Sequence, residues 1–204
     1  MADRGRLIAL EGIDGCGKTT QAHRLAERLG ALYTAEPGGT PLGSRLRAVL
    51  LDPALPAISA RSEALLMAAD RAEHVDRVIR PALEAGRWVV TDRFSGSTLA
   101  YQGYGRGLAV EDLGVVVAWA ADGTEPDLVV LVDVPLTVAR ARLGSTRPDR
   151  LEGLDESFHD RVRRGFLALA AADPARWVVV DGTGAPDEVE AEVARASTAR
   201  LGAP

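Results

Sequence analysis

A glycine-rich segment near the N-terminus is the first part of this sequence whose residue types and spacing could do chemistry. Residues 12–19 read Gly-Ile-Asp-Gly-Cys-Gly-Lys-Thr, which matches the pattern G-x-x-x-x-G-K-[ST]. In such a loop, consecutive backbone N–H groups surround phosphate oxygens, and the positive end of the following helix faces the same anion. The predicted nucleotide-binding residues are Gly12, Ile13, Asp14, Gly15, Cys16, Gly17, Lys18, Thr19 and Thr20. The alternative is a glycine-rich turn that binds no ligand.

Two side chains of this loop have specific predicted roles. Lys18 is the only lysine among the 24 lysine and arginine residues of the chain. Its compact ammonium group suits the β- and γ-phosphates of ATP, and the hydroxyl of Thr19 suits Mg²⁺ on the same phosphates. A chain that otherwise uses arginine has lysine at this one position, which favours ATP binding over a turn without ligand.

Three acidic residues follow the apolar runs that we interpret as strands. They are Glu11, Asp92 and Asp133. In parallel sheets, ligands bind at the carboxyl ends of the strands. We therefore expect Asp92 to lie near Mg²⁺ or its waters, and the adjacent Arg93 suits bidentate binding of an acceptor phosphate. A strand-end salt bridge is the alternative for this pair, and Asp133 is interpreted as a structural cap of the next helix.

Two kinds of segment alternate along the chain and predict the scaffold that positions these residues. Continuous apolar runs predict strands buried on both faces, at 7–10, 31–34, 88–91, 128–132 and 177–180. Helical periodicity predicts helices at about 18–29, 41–51, 60–85, 96–102, 110–121, 135–142, 155–172 and 185–200. The alternation predicts an α/β fold of the P-loop type, a five-stranded parallel sheet flanked by helices on both faces. One domain is expected over residues 1–204.

Composition argues against several classes of partner. No apolar run approaches the roughly 20 residues of a membrane-spanning helix, so a membrane protein is not expected. The net charge is −5 and no basic stripe with interleaved aromatic residues is present, which disfavours nucleic acid as a partner. Cys16 is the only cysteine, so no intrachain disulfide can form. We expect a cytoplasmic protein, with Trp88, Trp119 and Trp177 in its core.

Residues 92–108 carry a more specific pattern than the phosphate loop. They read Asp-Arg-Phe-Ser-Gly-Ser-Thr-Leu-Ala-Tyr-Gln-Gly-Tyr-Gly-Arg-Gly-Leu, which resembles the signature of bacterial thymidylate kinases. Segments 36–43, 68–74 and 149–152 resemble that family in the same order, so the likeness extends from residue 7 to about residue 181. The resemblance implies the nucleoside monophosphate kinase variant of the fold. It also implies transfer of the γ-phosphoryl group of ATP, held with Mg²⁺, to dTMP, giving ADP and dTDP for dTTP supply.

The same resemblance implies which residues bind the phosphate and sugar of dTMP. Arg93 would hold the phosphate with help from Arg47, and Asp14 would accept a hydrogen bond from the 3′-hydroxyl. Tyr101 would crowd the 2′ position and so favour deoxyribose, although a tyrosine on a helix can equally be a core residue. Asp14 and Arg93 are counted as catalytic together with Lys18.

Recognition of the base is implied for a further set of residues. Arg71 would donate to thymine O4, while Thr98 and Gln102 would contact its polar edge. Such a site rejects a mismatched base because buried polar groups would be left unpaired. Met67 stands where relatives often have a phenylalanine that stacks on the base, and methionine can still cover a ring face. Taken alone, Arg71 could instead form a surface pair with Asp70.

An arginine-rich segment is predicted to form a mobile lid at about 143–152. The arginines in it or just before it are Arg140, Arg142, Arg147 and Arg150. Phosphoryl transfer needs positive charge over the oxygens of the moving group. In one branch of the family the phosphate loop supplies this arginine and in the other the lid does; here Gly15 and Cys16 occupy the loop. The resemblance therefore implies the lid-arginine type, with Arg147 and Arg150 as catalytic candidates and Arg140 assigned to ATP. A solvated arginine-rich loop is the alternative.

Two other functions stay open beside this interpretation. The nearer one is a kinase for another nucleoside monophosphate or a deoxynucleoside. The remote one is a P-loop switch of the GTPase kind, which lacks support because the guanine-reading motif N-K-x-D is absent. The resemblance further implies a homodimer. Ala35 replaces an arginine that many relatives have, so one phosphate contact is expected to be missing or supplied elsewhere.

Overall fold

The computed structural model describes residues 4–144 and 148–202, and its centre is a parallel sheet. The strands are β1 (Leu7–Glu11), β2 (Leu32–Ala35), β3 (Val89–Asp92), β4 (Leu128–Asp133) and β5 (Trp177–Asp181). They pair in parallel in the order β2-β3-β1-β4-β5. Each predicted strand is present to within one residue at either end, and the predicted five-stranded parallel sheet is confirmed.

The register of the sheet brings the first and third strands to the same edge. Leu10 on β1 lies beside Asp92 on β3, and the backbone N–H of Arg93 donates to the Leu10 carbonyl at 2.9 Å. The chain therefore leaves both strands at neighbouring points, one into the glycine-rich loop and the other into residues 93–98. The sheet itself joins the two predicted halves of the site.

Helices cover both faces of the sheet. They are α1 (Lys18–Leu29), α2 (Pro41–Leu51), α3 (Ala60–His74), α4 (Arg80–Glu84), α5 (Ser95–Thr98), α6 (Val110–Ala121), α7 (Leu136–Leu143), α8 (Glu156–Ala172) and α9 (Pro186–Leu201). Ile8 and Leu10 belong to one core cluster with residues of α1 and α9, whereas Leu7 and Ala9 belong to a second cluster with residues of α4. Because alternate strand side chains enter different clusters, the strands are buried on both sides, as predicted.

Two predicted helices are less regular than expected, and the second, predicted at 96–102, extends from residue 95 to residue 105. A π-helical turn at Val75–Ile79 links α3 to α4, and a second π-helical segment at Leu99–Gly105 continues α5. The first turn stands directly before α4, where Pro81 has no N–H to donate to the preceding turn. A widened turn accommodates the missing donor. The second segment contains Tyr101 and Gln102, and π-helical turns are frequent at functional sites.

The prediction that all three tryptophans lie in the core is wrong for Trp119. Trp88 and Trp177 are partly buried against the core, but Trp119 is 81% exposed. It lies on the face of α6 that also carries exposed Val115, four residues earlier, while the opposite face buries Leu113. Among the described residues, no helix is long and apolar enough to cross a membrane.

Candidate active site

The glycine-rich loop has the backbone shape that a phosphate cradle requires. It connects β1 to α1, and Gly15 and Gly17 have φ angles of 80° and 95°. These left-handed angles are costly for residues with a Cβ atom. At Gly15 a Cβ atom would also collide with the carbonyl of Ala139. The loop can therefore keep its shape only with glycine at these positions.

Lys18 lies across this loop and not in solvent. Its side chain is buried, and Nζ donates to the carbonyl of Ile13 and to Oδ1 of Asp14, both at 3.3 Å. Both contacts are long for hydrogen bonds to an ammonium group. The charge is thus held beside the loop by weak contacts that a phosphate oxygen could replace.

The predicted metal ligands meet at the start of α1. The hydroxyl of Thr19 donates to Oδ2 of Asp92 at 2.5 Å. The other oxygen of Asp92, Oδ1, is buried and has no hydrogen-bond partner in the part of the chain described. A carboxylate and a hydroxyl are oxygen ligands of the kind that Mg²⁺ takes, and a buried oxygen without a partner calls for a cation or its water. The residues present therefore fit Mg²⁺.

Arg93 is the centre of the contacts between the loop and the rest of the site. Its φ of 71° lies in the left-handed region, and Nη1 donates to the Gly12 carbonyl at 3.1 Å and to Ser97 Oγ at 2.9 Å. Its Nη2 forms an ion pair with Asp14 and donates to the Tyr101 hydroxyl at 3.2 Å. A non-glycine residue held in this conformation is a mark of functional sites, where surrounding contacts offset the strain.

The ionisation of this cluster follows from its contacts. Burial alone would raise the pKa of Asp14, but the charges of Arg93 and Lys18 and a 2.7 Å hydrogen bond from Tyr101 hold that pKa well below its usual range. Burial raises the pKa of Tyr101 well above its ordinary value, so its hydroxyl stays protonated and donates. Asp14 is consequently a permanent anion that fixes three donors around itself.

One cavity collects every residue predicted to bind the acceptor. It opens beside the loop, so that Asp14 belongs to both the loop and the cavity. The predicted residues that line it are Asp14, Arg47, Met67, Arg71, Arg93, Thr98, Tyr101 and Gln102. Their side chains come from the loop, α2, α3 and the segment after β3, four parts of the chain that only the fold brings together.

Arg71 is the most buried charged residue of this cavity. It is 2% exposed, donates from both Nη atoms to Thr98 Oγ1 at 3.1 Å and pairs with Glu36 at 2.8 Å. The surface pair with Asp70 is therefore excluded. Its Nε is buried without a hydrogen-bond partner among the described residues, so one N–H donor of a cavity-lining side chain has no acceptor there.

A buried network around Glu36 was not found from the sequence. Glu36 joins Arg71 to His74, whose Nδ1 lies 3.0 Å from Glu36 Oε1 and whose Nε2 lies 2.6 Å from Thr34 Oγ1. Nearby, burial and the charge of Glu36 raise the pKa of Asp70 to about 6. The resemblance covered these positions, but only the fold shows that they support Arg71.

Glu63 is a second buried carboxylate that the sequence did not single out. It is fully buried and accepts hydrogen bonds from Gln102 at 2.9 Å, Arg106 at 2.9 Å and Arg150 at 2.7 Å. Arg150 also donates from Nε to the Leu50 carbonyl at 2.7 Å. In the sequence, Glu63 looks like an ordinary acid in the first turn of a helix. No sequence pattern therefore indicates that it accepts hydrogen bonds from three distant side chains.

The predicted lid arginines lie in different places. Arg140 pairs with Glu156 at 2.8 Å, and Arg147 is outside the described residues. Arg142, which received no specific role from the sequence, donates to the carbonyl of Cys16 at 3.2 Å. It also donates to the carbonyl of Thr183 at 3.2 Å. The arginine that touches the phosphate loop from this helix is thus Arg142.

Three other predicted residues are Arg47, Thr20 and Cys16, and they differ in exposure and contacts. Arg47 donates to the Pro37 carbonyl at 2.9 Å, and Thr20 is exposed on the first turn of α1. Cys16 is buried, and burial raises the pKa of its thiol, as expected for a small residue that fills space.

Comparison with known proteins decides which family this geometry belongs to. The family model described as thymidylate kinase matches residues 10–193. The chain belongs to the thymidylate kinase family. The resemblance drawn from residues 92–108 is thereby confirmed, and so is the enzyme class, an ATP-dependent nucleoside monophosphate kinase with a P-loop fold. The remote interpretation as a GTPase-like switch is set aside.

Individual members of the family match nearly the whole chain. It is 49% identical to thymidylate kinase from Deinococcus radiodurans, over 93% of this chain and 95% of that one. It is 48% identical to thymidylate kinase from Cupriavidus metallidurans, over 91% and 94%. A crystal structure of thymidylate kinase from Ehrlichia chaffeensis superimposes with a TM-score of 0.78 at 33% identity, covering 95% of this chain and 98% of that one.

Proposed function

We propose that this protein transfers the γ-phosphoryl group of ATP to dTMP and forms ADP and dTDP. The observation that carries the proposal is the Arg93–Asp14–Tyr101 cluster, because it joins the glycine-rich loop to the acceptor cavity. An oxygen of the acceptor phosphate attacks the γ-phosphorus in line, and the bond to the bridging oxygen of ADP breaks. The acceptor is already an anion, so no strong general base and no phosphoenzyme are needed.

On the donor side, the chain's own groups position and neutralise the triphosphate. The backbone N–H groups of residues 12–19 surround its oxygens, and Lys18 exchanges its long contacts to Ile13 and Asp14 for the β- and γ-phosphates. Thr19 and Asp92 would hold Mg²⁺, directly or through water, and the ion would neutralise phosphate charge. Positioning and charge neutralisation supply the catalysis.

On the acceptor side, the cavity offers a donor or acceptor to each part of dTMP. Arg93 and Arg47 bind the phosphate, and Asp14 accepts the 3′-hydroxyl. Tyr101, fixed by its bond to Asp14, leaves little room at the 2′ position. Thr98, Arg71 and Gln102 contact the polar edge of the base. The Nε–H of Arg71, which has no partner among the described residues, is a donor that an acceptor atom of the base would satisfy.

The lid is part of the same proposal. We place it at about 143–152, closing over ATP, with the positive charge for the moving group coming from Arg147 or Arg150. In the structure Arg150 is bound to Glu63 and to the Leu50 carbonyl, so its use would require it to leave both. Arg140 keeps its assignment near ATP, with Glu156 as its present partner.

The reaction is tested by following the label from [γ-³²P]ATP in the presence of dTMP and Mg²⁺. We expect one labelled dTDP for each ADP formed. The location that we propose for the protein is the cytoplasm, as the sequence indicates. Release of the label as inorganic phosphate would show an ATPase and contradict the proposal. Chromatography on a nucleotide-resolving column separates the two products directly.

The proposed Mg²⁺ site predicts a specific effect of Asp92→Asn. We expect the Mg²⁺ concentration for half-maximal turnover to rise about tenfold, since removing a group that orients a metal costs about 10–100-fold in affinity. Titration of Mg²⁺ at fixed ATP measures the change, and Mn²⁺ binding followed by electron paramagnetic resonance gives a readout independent of turnover. Asp133→Asn is the matched control, because Asp133 also ends a strand but pairs with Arg163 at 2.8 Å. An equal shift in both variants would contradict the assignment.

We propose that the protein is a homodimer formed through α3 and α6. These helices pack together and present Leu65, Val115 and Trp119, which are 60%, 71% and 81% exposed. Large apolar side chains exposed together mark an association surface, and a two-fold interface brings the same patch of two copies into contact. The family resemblance supports the same state.

Trp119→Arg is expected to convert this dimer into a monomer. A buried arginine without a partner opposes association in both copies at once, because the two-fold axis repeats the change. Sedimentation equilibrium over a range of protein concentrations measures the oligomeric state. Val179→Arg is the control, since Val179 is also exposed, at 49%, but belongs to β5 and to neither of the two helices. A wild-type monomer, or a Trp119→Arg dimer, would contradict the proposal.

A further inference from the structure

The short helix α5 is capped by a residue from a different strand. Phe94 precedes the helix and has no polar side-chain atom with which to cap it. Oε1 of Glu11 accepts instead from the backbone N–H groups of Phe94 and Ser97, both at 3.0 Å. Glu11 is the last residue of β1 and is fully buried. One strand end thus satisfies the orphan donors of a helix that follows another strand.

The second oxygen of Glu11 leads to Arg93. Oε2 accepts from the hydroxyl of Ser97 at 2.6 Å, and Ser97 Oγ in turn accepts from Nη1 of Arg93 at 2.9 Å. Glu11 therefore holds the backbone on the C-terminal side of Arg93 and, through one hydroxyl, its guanidinium group. Arg93 needs such support because its φ of 71° is unfavourable for a residue with a Cβ atom.

We propose that Glu11 is a positioning residue of the acceptor site, acting through Ser97 on the guanidinium group of Arg93. The proposal rests on the role of Arg93 as the ligand of the acceptor phosphate. Without the relay, Nη1 keeps the Gly12 carbonyl as its partner, while the ion pair with Asp14 draws the group toward the loop. The guanidinium group is then no longer oriented toward the acceptor phosphate. The affinity for the acceptor therefore falls, whereas the affinity for ATP does not.

The test is a double-mutant cycle of Glu11→Gln and Ser97→Ala, with the Michaelis constants of dTMP and ATP measured separately. A hydrogen bond to a charged group is worth about tenfold or more in affinity, so each single variant should raise KM for dTMP about tenfold. KM for ATP should stay unchanged. Because both residues act on one relay, the double variant should be no worse than either single one.

Two further variants separate the relay from a merely structural role. Ser97→Thr keeps the hydroxyl and should restore KM for dTMP to within about twofold of the wild type, the additivity limit for an undisturbed contact. Ser95→Ala, on the same short helix, should leave both Michaelis constants unchanged. Thermal unfolding of each variant identifies those that are not folded.

Three results would overturn the inference: an unchanged KM for dTMP, an equal rise for dTMP and ATP, or additive effects in the double variant. Failure of the proposed function would give a different experimental result, because the wild-type protein itself would then not phosphorylate dTMP. A wild type active on dTMP with unaffected Glu11 and Ser97 variants would therefore overturn the relay alone.

Discussion

Replacement of Lys18 by alanine is expected to lower kcat about a thousandfold, in line with the loss of one preorganised donor to a developing negative charge. Lys18 is buried at the start of α1, and among the described residues its Nζ is held by two 3.3 Å contacts within the phosphate loop. In the proposed reaction Nζ exchanges these two long contacts for the β- and γ-phosphates. Steady-state turnover at saturating ATP and dTMP measures the loss.

Lys18→Arg makes this prediction sharper. The chain uses arginine at every other position that carries a permanent cation, so the position either needs an ammonium group or retains lysine by chance. A planar guanidinium group is bulkier than the buried ammonium group it would replace and presents its charge differently, so we expect a loss of about a hundredfold despite the retained charge. Arg28→Ala, on the exposed side of the same helix, is the control. Near-normal activity of Lys18→Arg would contradict the argument.

Arg93→Ala is expected to raise KM for dTMP about a hundredfold, with a much smaller change for ATP. A bidentate arginine–phosphate contact is lost, and truncation of one member of a hydrogen-bonded charge pair costs about 2–5 kcal/mol. Asp14 also loses a counter-charge, although Lys18 and Tyr101 still contact it. Initial rates over a matrix of dTMP and ATP concentrations separate the two effects.

Two companion variants of Arg93 distinguish its side chain from its backbone. Arg93→Lys keeps the charge without the fork and should fall between the wild type and the alanine variant. Arg93→Gly removes the side chain but suits the φ of 71°, so it should unfold at a higher temperature than Arg93→Ala while sharing its KM defect. Equal KM values for Arg93→Ala and the wild type would show that another group binds the acceptor phosphate.

The sheet could be predicted from the sequence because its strands are buried on both faces. Continuous apolar runs with sharp polar ends place each strand to within one residue, and the acids that follow mark the edge where ligands bind. The loop at 12–19 was equally clear, because its glycines serve a local backbone shape that needs no distant partner. A feature that depends mainly on residues close in sequence can be predicted from a local sequence pattern.

The parts that the sequence could not predict depend on distant partners. Glu63 and Glu36 look like ordinary surface acids until the fold buries them beside arginines from other segments. Trp119 belongs to an apolar pattern that does not distinguish a core from an exposed face. Arg142 could not be told from its neighbours, because its contact with Cys16 depends on how α7 lies over the loop. The resemblance named the acceptor residues, but only the fold brings them to one cavity.

The central claim, that the cavity selects dTMP, is tested most directly by ADP release from Mg·ATP with dTMP, dUMP, UMP, CMP, AMP and GMP in parallel. The proposed contacts of Arg71 and Thr98 with the base and of Tyr101 with deoxyribose predict strong turnover with dTMP. For the four ribonucleotides, kcat/KM should be lower by about a hundredfold or more, as expected when buried polar groups are left unpaired. A ribonucleotide turned over as well as dTMP would contradict this account of the acceptor cavity, whereas the phosphate loop and its lysine would keep their role.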